Sequence, residues 1–159
     1  MWPNRLESAF VAKDLIRVIA RNKRAKYDYE LTDKFEAGLE LRGSEVKSLR
    51  AGKASIVEAY VRLRGGEAWL VQANIPELRQ ASYNNHDPVR SRKLLLKKNE
   101  LRKLKRLTTE KGLTLVPMTL FFKGAWVKLE FAVGKGKKRH DKRETLKKKA
   151  HASEQRHHR

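Results

Sequence analysis

Two alternating runs face each other across Gly65-Gly66, and no other stretch constrains the fold as strongly. From Ile56 to Leu63 apolar and polar residues alternate, with Arg62 and Arg64 on the polar side. Residues 67–73, EAWLVQA, repeat the alternation in the return direction. A period of two puts successive side chains on opposite faces of a strand, so one face can be buried while the other is solvated. Two consecutive glycines supply the positive φ angles of a tight hairpin turn. A lone hairpin is at best marginally stable in water, so the rest of the chain must supply partners.

Those partners are visible. Residues 113–122 and 125–133 read as a second hairpin around Lys123-Gly124, and Pro117 inside its first strand predicts an edge or a bulge because proline has no N–H to donate. Residues 27–35 and 37–41 read as two further strands that turn Leu31, Phe35, Leu39 and Leu41 toward a core. Ser44 as N-cap and Gly52 as stop predict a short helix over 44–51, with Val46 and Leu49 as its apolar residues. Leu101, Leu104 and Leu107 recur at helical spacing within 97–111, and the other faces are Lys and Arg. Residues 74–92, rich in Asn, Asp and Pro, read as a long loop, a length that often serves function. About six strands with short flanking helices make the fold mainly β, a small OB-like antiparallel barrel. The expected organisation is an N-terminal extension over 1–20, the barrel domain over 21–134 and a basic tail over 135–159.

The charge is concentrated. Of a formal net charge of +20, residues 90–106 carry +8 and residues 135–159 another +8, leaving +4 for the remainder. A nearly balanced body with two dense basic elements points to a polyanion partner. The tail has one leucine and no aromatic after Gly134. It cannot bury enough apolar surface to offset its ordering entropy, so it is expected to be disordered when free, with helix formers that would let it fold on a polyanion.

Several chemistries are excluded or disfavoured. The chain has no cysteine, which removes disulfides, thiolate zinc sites, iron–sulfur clusters and thiol catalysis. No hydrolase, zincin or paired-acid motif is present, and GKGKK lacks the Ser/Thr of a phosphate loop. Neither an enzyme nor a cofactor is therefore expected. His140, His151, His157 and His158 lie in the basic tail, where cationic neighbours oppose metal binding. No apolar run approaches the length of a spanning helix, and Glu7 and Asp14 interrupt any signal-peptide core; a membrane is not an expected partner and a cytoplasmic location is. Leu6, Phe10, Leu15, Ile16 and Ile19 are compatible with a short amphipathic helix or with disorder. Glu36 stands out as an acid in KFEAG, and an ordinary surface carboxylate balancing Lys34 or Arg42 is an equal reading. The triplet Leu94–Leu96 predicts at least two core residues and one free to touch a base.

Four stretches read together resemble the small protein B (SsrA-binding protein) family of bacterial trans-translation: FEAGLELRGSEVKSLRAGKASIVEAYVRL, GEAWLVQANIPE, DPVRSRKLLL and KGAWVKLEFAVGKGKKRHDKRE. They stand in the family's order, from about Asn22 to Lys149. The resemblance implies an OB-like barrel that binds the tRNA-like domain of transfer-messenger RNA without being an enzyme. It also implies delivery of that RNA, with elongation factor Tu, to stalled ribosomes, and a tail that becomes helical in the empty mRNA channel near the decoding centre. Carried over by position, the family's RNA-contact residues fall on Glu36, Arg92, Lys93 and Leu95. Lys97 adds charge where several relatives have Asn. The tail motif falls on Lys135, Lys137, Lys138, His140, Asp141, Lys142 and Arg143. Histidine can stack on an rRNA base, Lys and Arg can hold phosphate, and Asp141 can cap a tail helix.

Overall fold

The computed structural model describes residues 15–78, 85–137, 143 and 146–150. The elements in chain order are β1 (Ile16–Arg21), α1 (Ala25–Asp28), β2 (Tyr29–Leu39), α2 (Gly43–Arg50), β3 (Tyr60–Arg64), β4 (Glu67–Val71), β5 (Arg92–Leu95), α3 (Lys98–Thr109), β6 (Thr114–Lys123) and β7 (Trp126–Gly136). All strand pairs are antiparallel. Six strands form a ring, β6-β3-β4-β5-β2-β7 and back to β6, and β1 adds to the edge of β6 that β3 leaves free. The ring is closed between β3 and β6 by a single residue pair, Val61 with Leu115. The sequence predicted about six strands; two of these merge into β2, and two observed strands were not predicted: β1, where the extension left helix or disorder open, and β5, at the end of the predicted loop.

Both hairpins form. Gly65 and Gly66 take φ of 61° and 76°, and Gly124 takes 61°. The barrel interior holds Phe35, Leu70, Leu94, Leu115, Leu120, Leu129 and Phe131, with Leu49 of α2 and Leu104 of α3 packed on it. Strands β6 and β7 are buried on both faces, because Val116, Met118 and Ala132 pack with Ala25 of α1 on the outside. Burial on both sides explains why these strands read as near-continuous apolar runs rather than strict alternations.

Two bulges redirect side chains. In β2 the register slips between Leu31 and Lys34, so the two strands predicted over 27–41 are one bulged strand. One inserted residue inverts the alternation. Leu31 therefore joins the outer cluster under α1, while Phe35 enters the barrel and stacks on Phe131 with ring centroids 5.6 Å apart. In β6 the slip lies between Pro117 and Thr119, as the proline predicted, and the freed Pro117 and Met118 carbonyls accept from Asn22 at 3.1 and 2.9 Å.

Helix α2 begins one residue before the predicted N-cap: Arg42 holds that place and its N–H donates to Glu45 at 2.9 Å. Ser44 instead bonds the His86 ring at 2.9 Å, and His86 Nε2 donates to the Ile75 carbonyl at 2.7 Å, which pins the start of the long loop. Gly52, at φ 76°, stops the helix as expected. No helix among the described residues is long and apolar enough to cross a membrane.

Candidate RNA-binding face

Across the sheet, residues directly opposite each other share a face. One outward row runs Val18, Phe121, Lys128, Gly38, Leu95, and the next runs Arg21, Thr119, Glu130, Glu36. Glu36 and Leu95 are thus diagonal neighbours on one outer face, a separation of about 7–8 Å in an antiparallel pair. Leu95 is 53% exposed although leucine is normally buried. It sits over Gly38, where a Cβ would touch the Leu95 Cβ at 3.4 Å. The missing side chain lets leucine lie flat on the sheet with an open upper surface. Its neighbours divide as the triplet predicted: Leu94 is core and Leu96 is half-buried against it.

The partner of Glu36 is Lys123, with Nζ 3.6 Å from Oε1, rather than Lys34 or Arg42. Both side chains are over 40% exposed, so the pair is an accessible one that contributes little to stability. Lys123 stands opposite Ile16 and Trp126, which are 61% and 73% exposed. Sequence reasoning assigned neither Lys123 nor Trp126 to the site. Only the β6–β7 register, set by the Pro117 bulge and the Gly124 turn, brings Lys123 within reach of Glu36 and stands Trp126 opposite that lysine.

Lys93 lies two residues from Leu95 on the same face, opposite Trp69, and its Nζ is 2.9 Å from Glu67. That hydrogen bond, with the attraction of the carboxylate, raises the lysine pKa above its ordinary value. Lys97 is exposed just before α3, and its backbone N–H donates to Glu100 at 3.2 Å.

Arg92 departs from the expectation. It is fully buried, so its guanidinium has no surface to offer a phosphate. Nε donates to Glu45 at 2.5 Å, Nη1 to the Ala73 carbonyl at 2.7 Å and Nη2 to the Pro88 carbonyl at 3.1 Å. Alternation is the cause: Arg92 and Leu94 point inward where Lys93 and Leu95 point outward. Glu45, also fully buried, accepts from Arg90, the Arg42 backbone and Arg92. Burial pushes its carboxyl up, but these hydrogen bonds outweigh burial and hold it below the usual value. Burial lowers the Arg92 pKa, and Glu45 opposes that shift.

The tail motif is divided. Lys135 lies in β7 opposite Glu30, so the barrel extends past residue 134. Lys137 donates from its backbone to the Asp28 carbonyl at 3.0 Å and from Nζ to the Lys26 carbonyl at 2.8 Å, which ties the exit of β7 to α1. Arg143 and residues 146–150 are helical and exposed, where disorder was expected; Lys and Ala there are good helix formers. Lys138, His140, Asp141 and Lys142 lie outside the described residues. Among the described residues no group of His, Asp and Glu could hold a metal ion.

A closed antiparallel barrel with an exposed leucine and lysines on one outer face, and a basic extension leaving its last strand, defines the class: a β-barrel protein with a basic outer face. The sequence profile described as SmpB protein matches residues 19–159. The chain is 49% identical over 138 residues to the SsrA-binding protein of Synechocystis sp., covering 86% of this chain and 90% of that one. It is 52% identical over 134 residues to the SsrA-binding protein of Nostoc punctiforme, covering 84% and 86%. A chain solved in "tmRNA-SmpB: a journey to the center of the bacterial ribosome" superposes with a TM-score of 0.63 at 42% identity, covering 79% of this chain and 92% of that one. The chain belongs to the SmpB family.

Proposed function

We propose that this chain binds the tRNA-like domain of transfer-messenger RNA through the Glu36–Leu95 face and helps deliver that RNA to stalled ribosomes for trans-translation. The observation that carries the reading is the exposed Leu95 lying on Gly38 with Glu36 one diagonal step away, in a chain of this family. An exposed apolar side chain offers a surface on which an unstacked base can rest, and a carboxylate accepts from base amines and 2′-hydroxyls. Lys93 and Lys97 flank the face and are suited to phosphate. Arg92 acts by holding β5 in place. The related SsrA-binding proteins and the tmRNA-SmpB structure support transfer-messenger RNA and the ribosome as partners. Elongation factor Tu acts through the RNA complex, the protein works in the cytoplasm, and it catalyses no reaction of its own.

The tail supplies a second contact. Lys135 and Lys137 stand at its root, and Lys138, His140, Asp141, Lys142 and Arg143 engage the decoding region and mRNA channel. The test separates the two. Leu95→Ala and Glu36→Arg should each weaken binding to transfer-messenger RNA about tenfold, the worth of one good contact. Removing residues 138–159 should spare that affinity and abolish peptide tagging on stalled ribosomes. If tail removal lowers RNA affinity as much as tagging, the division between body and tail is wrong.

A further inference from the structure

The barrel has a second basic feature away from the Glu36–Leu95 face. Where β3 and β6 separate beyond their single pair, a cleft of about 970 Å³ opens between β3, the Gly65-Gly66 turn and α3. Its cations are Arg62 and Arg64 from β3 and Lys98, Arg102 and Lys105 from α3. All five are exposed, and none makes an ion pair among the described residues. Among the described residues no carboxylate lines the cleft. Its floor is apolar, with the half-buried Leu63, Leu101 and Leu113, and Tyr60 stands at its side with 41% exposure.

The two cationic rows repeat at roughly similar intervals. Arg62 and Arg64 are two residues apart on a strand, a rise of about 6.6–6.8 Å. Lys98, Arg102 and Lys105 follow one helix face, with neighbours on such a face about 5–6 Å apart. A floor that accepts a flat apolar surface, an aromatic at its side and cations along both rims together match one ligand chemistry. That chemistry is a single strand of nucleotides, with bases on the tyrosine and leucines and phosphates between the rims.

We infer that the cleft between β3 and α3 is a second RNA-binding groove that takes an unpaired RNA segment. It uses none of the residues of the Glu36–Leu95 face, so it stands or falls apart from the function proposed above. An acidic peptide would satisfy the cations but leave the aromatic and apolar floor without a matching group, and the structure favours RNA for that reason.

The test uses the full chain and a fluorescein-labelled rU12 oligonucleotide, followed by anisotropy across a salt series. The variant R62Q/R102Q/K105Q should bind at least tenfold more weakly at low salt. The slope of log affinity against log salt should fall by about 2, given about 0.7 per phosphate contact on a single strand. Tyr60→Ala should weaken binding about fivefold or more at every salt concentration without changing the slope, the signature of lost stacking. A 4-thiouridine version of the oligonucleotide should crosslink to residues 60–66 or 98–109. The inference is overturned if K23Q/K47Q/K53Q, which removes three cations elsewhere, has the same effect as the cleft variant. Crosslinks confined to the tail would also overturn it, as would displacement of rU12 by poly-glutamate of equal length at equal concentration.

Discussion

Glu45→Ala is the sharpest test of the reading of Arg92. Both side chains are fully buried, and the carboxylate receives hydrogen bonds from Arg90, Arg92 and the Arg42 backbone. Removing it strands the Arg92 guanidinium in the interior with only the Ala73, Asp87 and Pro88 carbonyls for company. Breaking a buried pair from one side costs about 3–5 kcal/mol, against about 5–15 kcal/mol for a whole domain. In a chain of this size that corresponds to a fall in Tm of about 6–20 °C. Replacing both partners, as in Glu45→Leu with Arg92→Met, should recover most of the loss, because an apolar pair of similar volume needs no compensation. Calorimetry with parallel RNA-binding measurements reads both effects. The folded fraction of each variant should bind RNA with unchanged affinity. A Tm drop of less than about 2 °C for Glu45→Ala would refute the stability argument. Loss of RNA affinity in the double variant without loss of stability would return Arg92 to the contact surface.

Further outcomes can be checked directly. Because the folded carboxyl of Glu45 is held below its ordinary value of 4.5, its contribution should be complete at neutral pH and fade as pH falls below that value; acid titration of wild type against the E45L/R92M double variant should show this extra loss only in the former. Gly134→Ala should destabilise by about 1–3 kcal/mol, the range for overpacking a core, because its Cβ would lie 3.1 Å from the Tyr29 Cβ and 3.2 Å from Val116 Cγ2; urea melts measure it. Leu95→Ala should leave Tm within about 2 °C of wild type while weakening RNA binding, since an exposed side chain supports little of the core.

Local pattern foretold much of this molecule. The Gly65-Gly66 turn, the Pro117 bulge, the Gly52 stop and the split of Leu94–Leu96 all rest on φ, a missing N–H or alternation, and these act within a few residues. The bulge at residues 32–33 was not legible, because an inserted residue shows only against a partner strand about a hundred positions away. Leu31 was therefore assigned to the wrong face. β1 was missed for a related reason: its partner is β6, and Ile16 and Val18 are exposed, so no buried face marked the strand. For the site, the resemblance singled out Glu36, Lys93 and Leu95, and the fold sets all three on one outer face. It also singled out Arg92, whose inward direction follows from the same alternation that turns Lys93 outward. The neighbour Glu45, 47 positions away, gave no local sign of waiting for it.

The pairing of β2 with β7 has a consequence for how the protein is made. The second strand of the body cannot complete its longest seam until the seventh exists, roughly a hundred residues later. At elongation rates of about 5–20 residues per second, β2 waits about 5–20 s for β7, with only its short pairing to β5 available before then. During that interval Phe35 and Ala37 have no barrel to enter. Lys34, Glu36 and Glu40 keep the opposite side charged, which discourages the strand from joining a neighbouring nascent chain. Glu36 is therefore part of a charged side that β2 presents before the barrel closes.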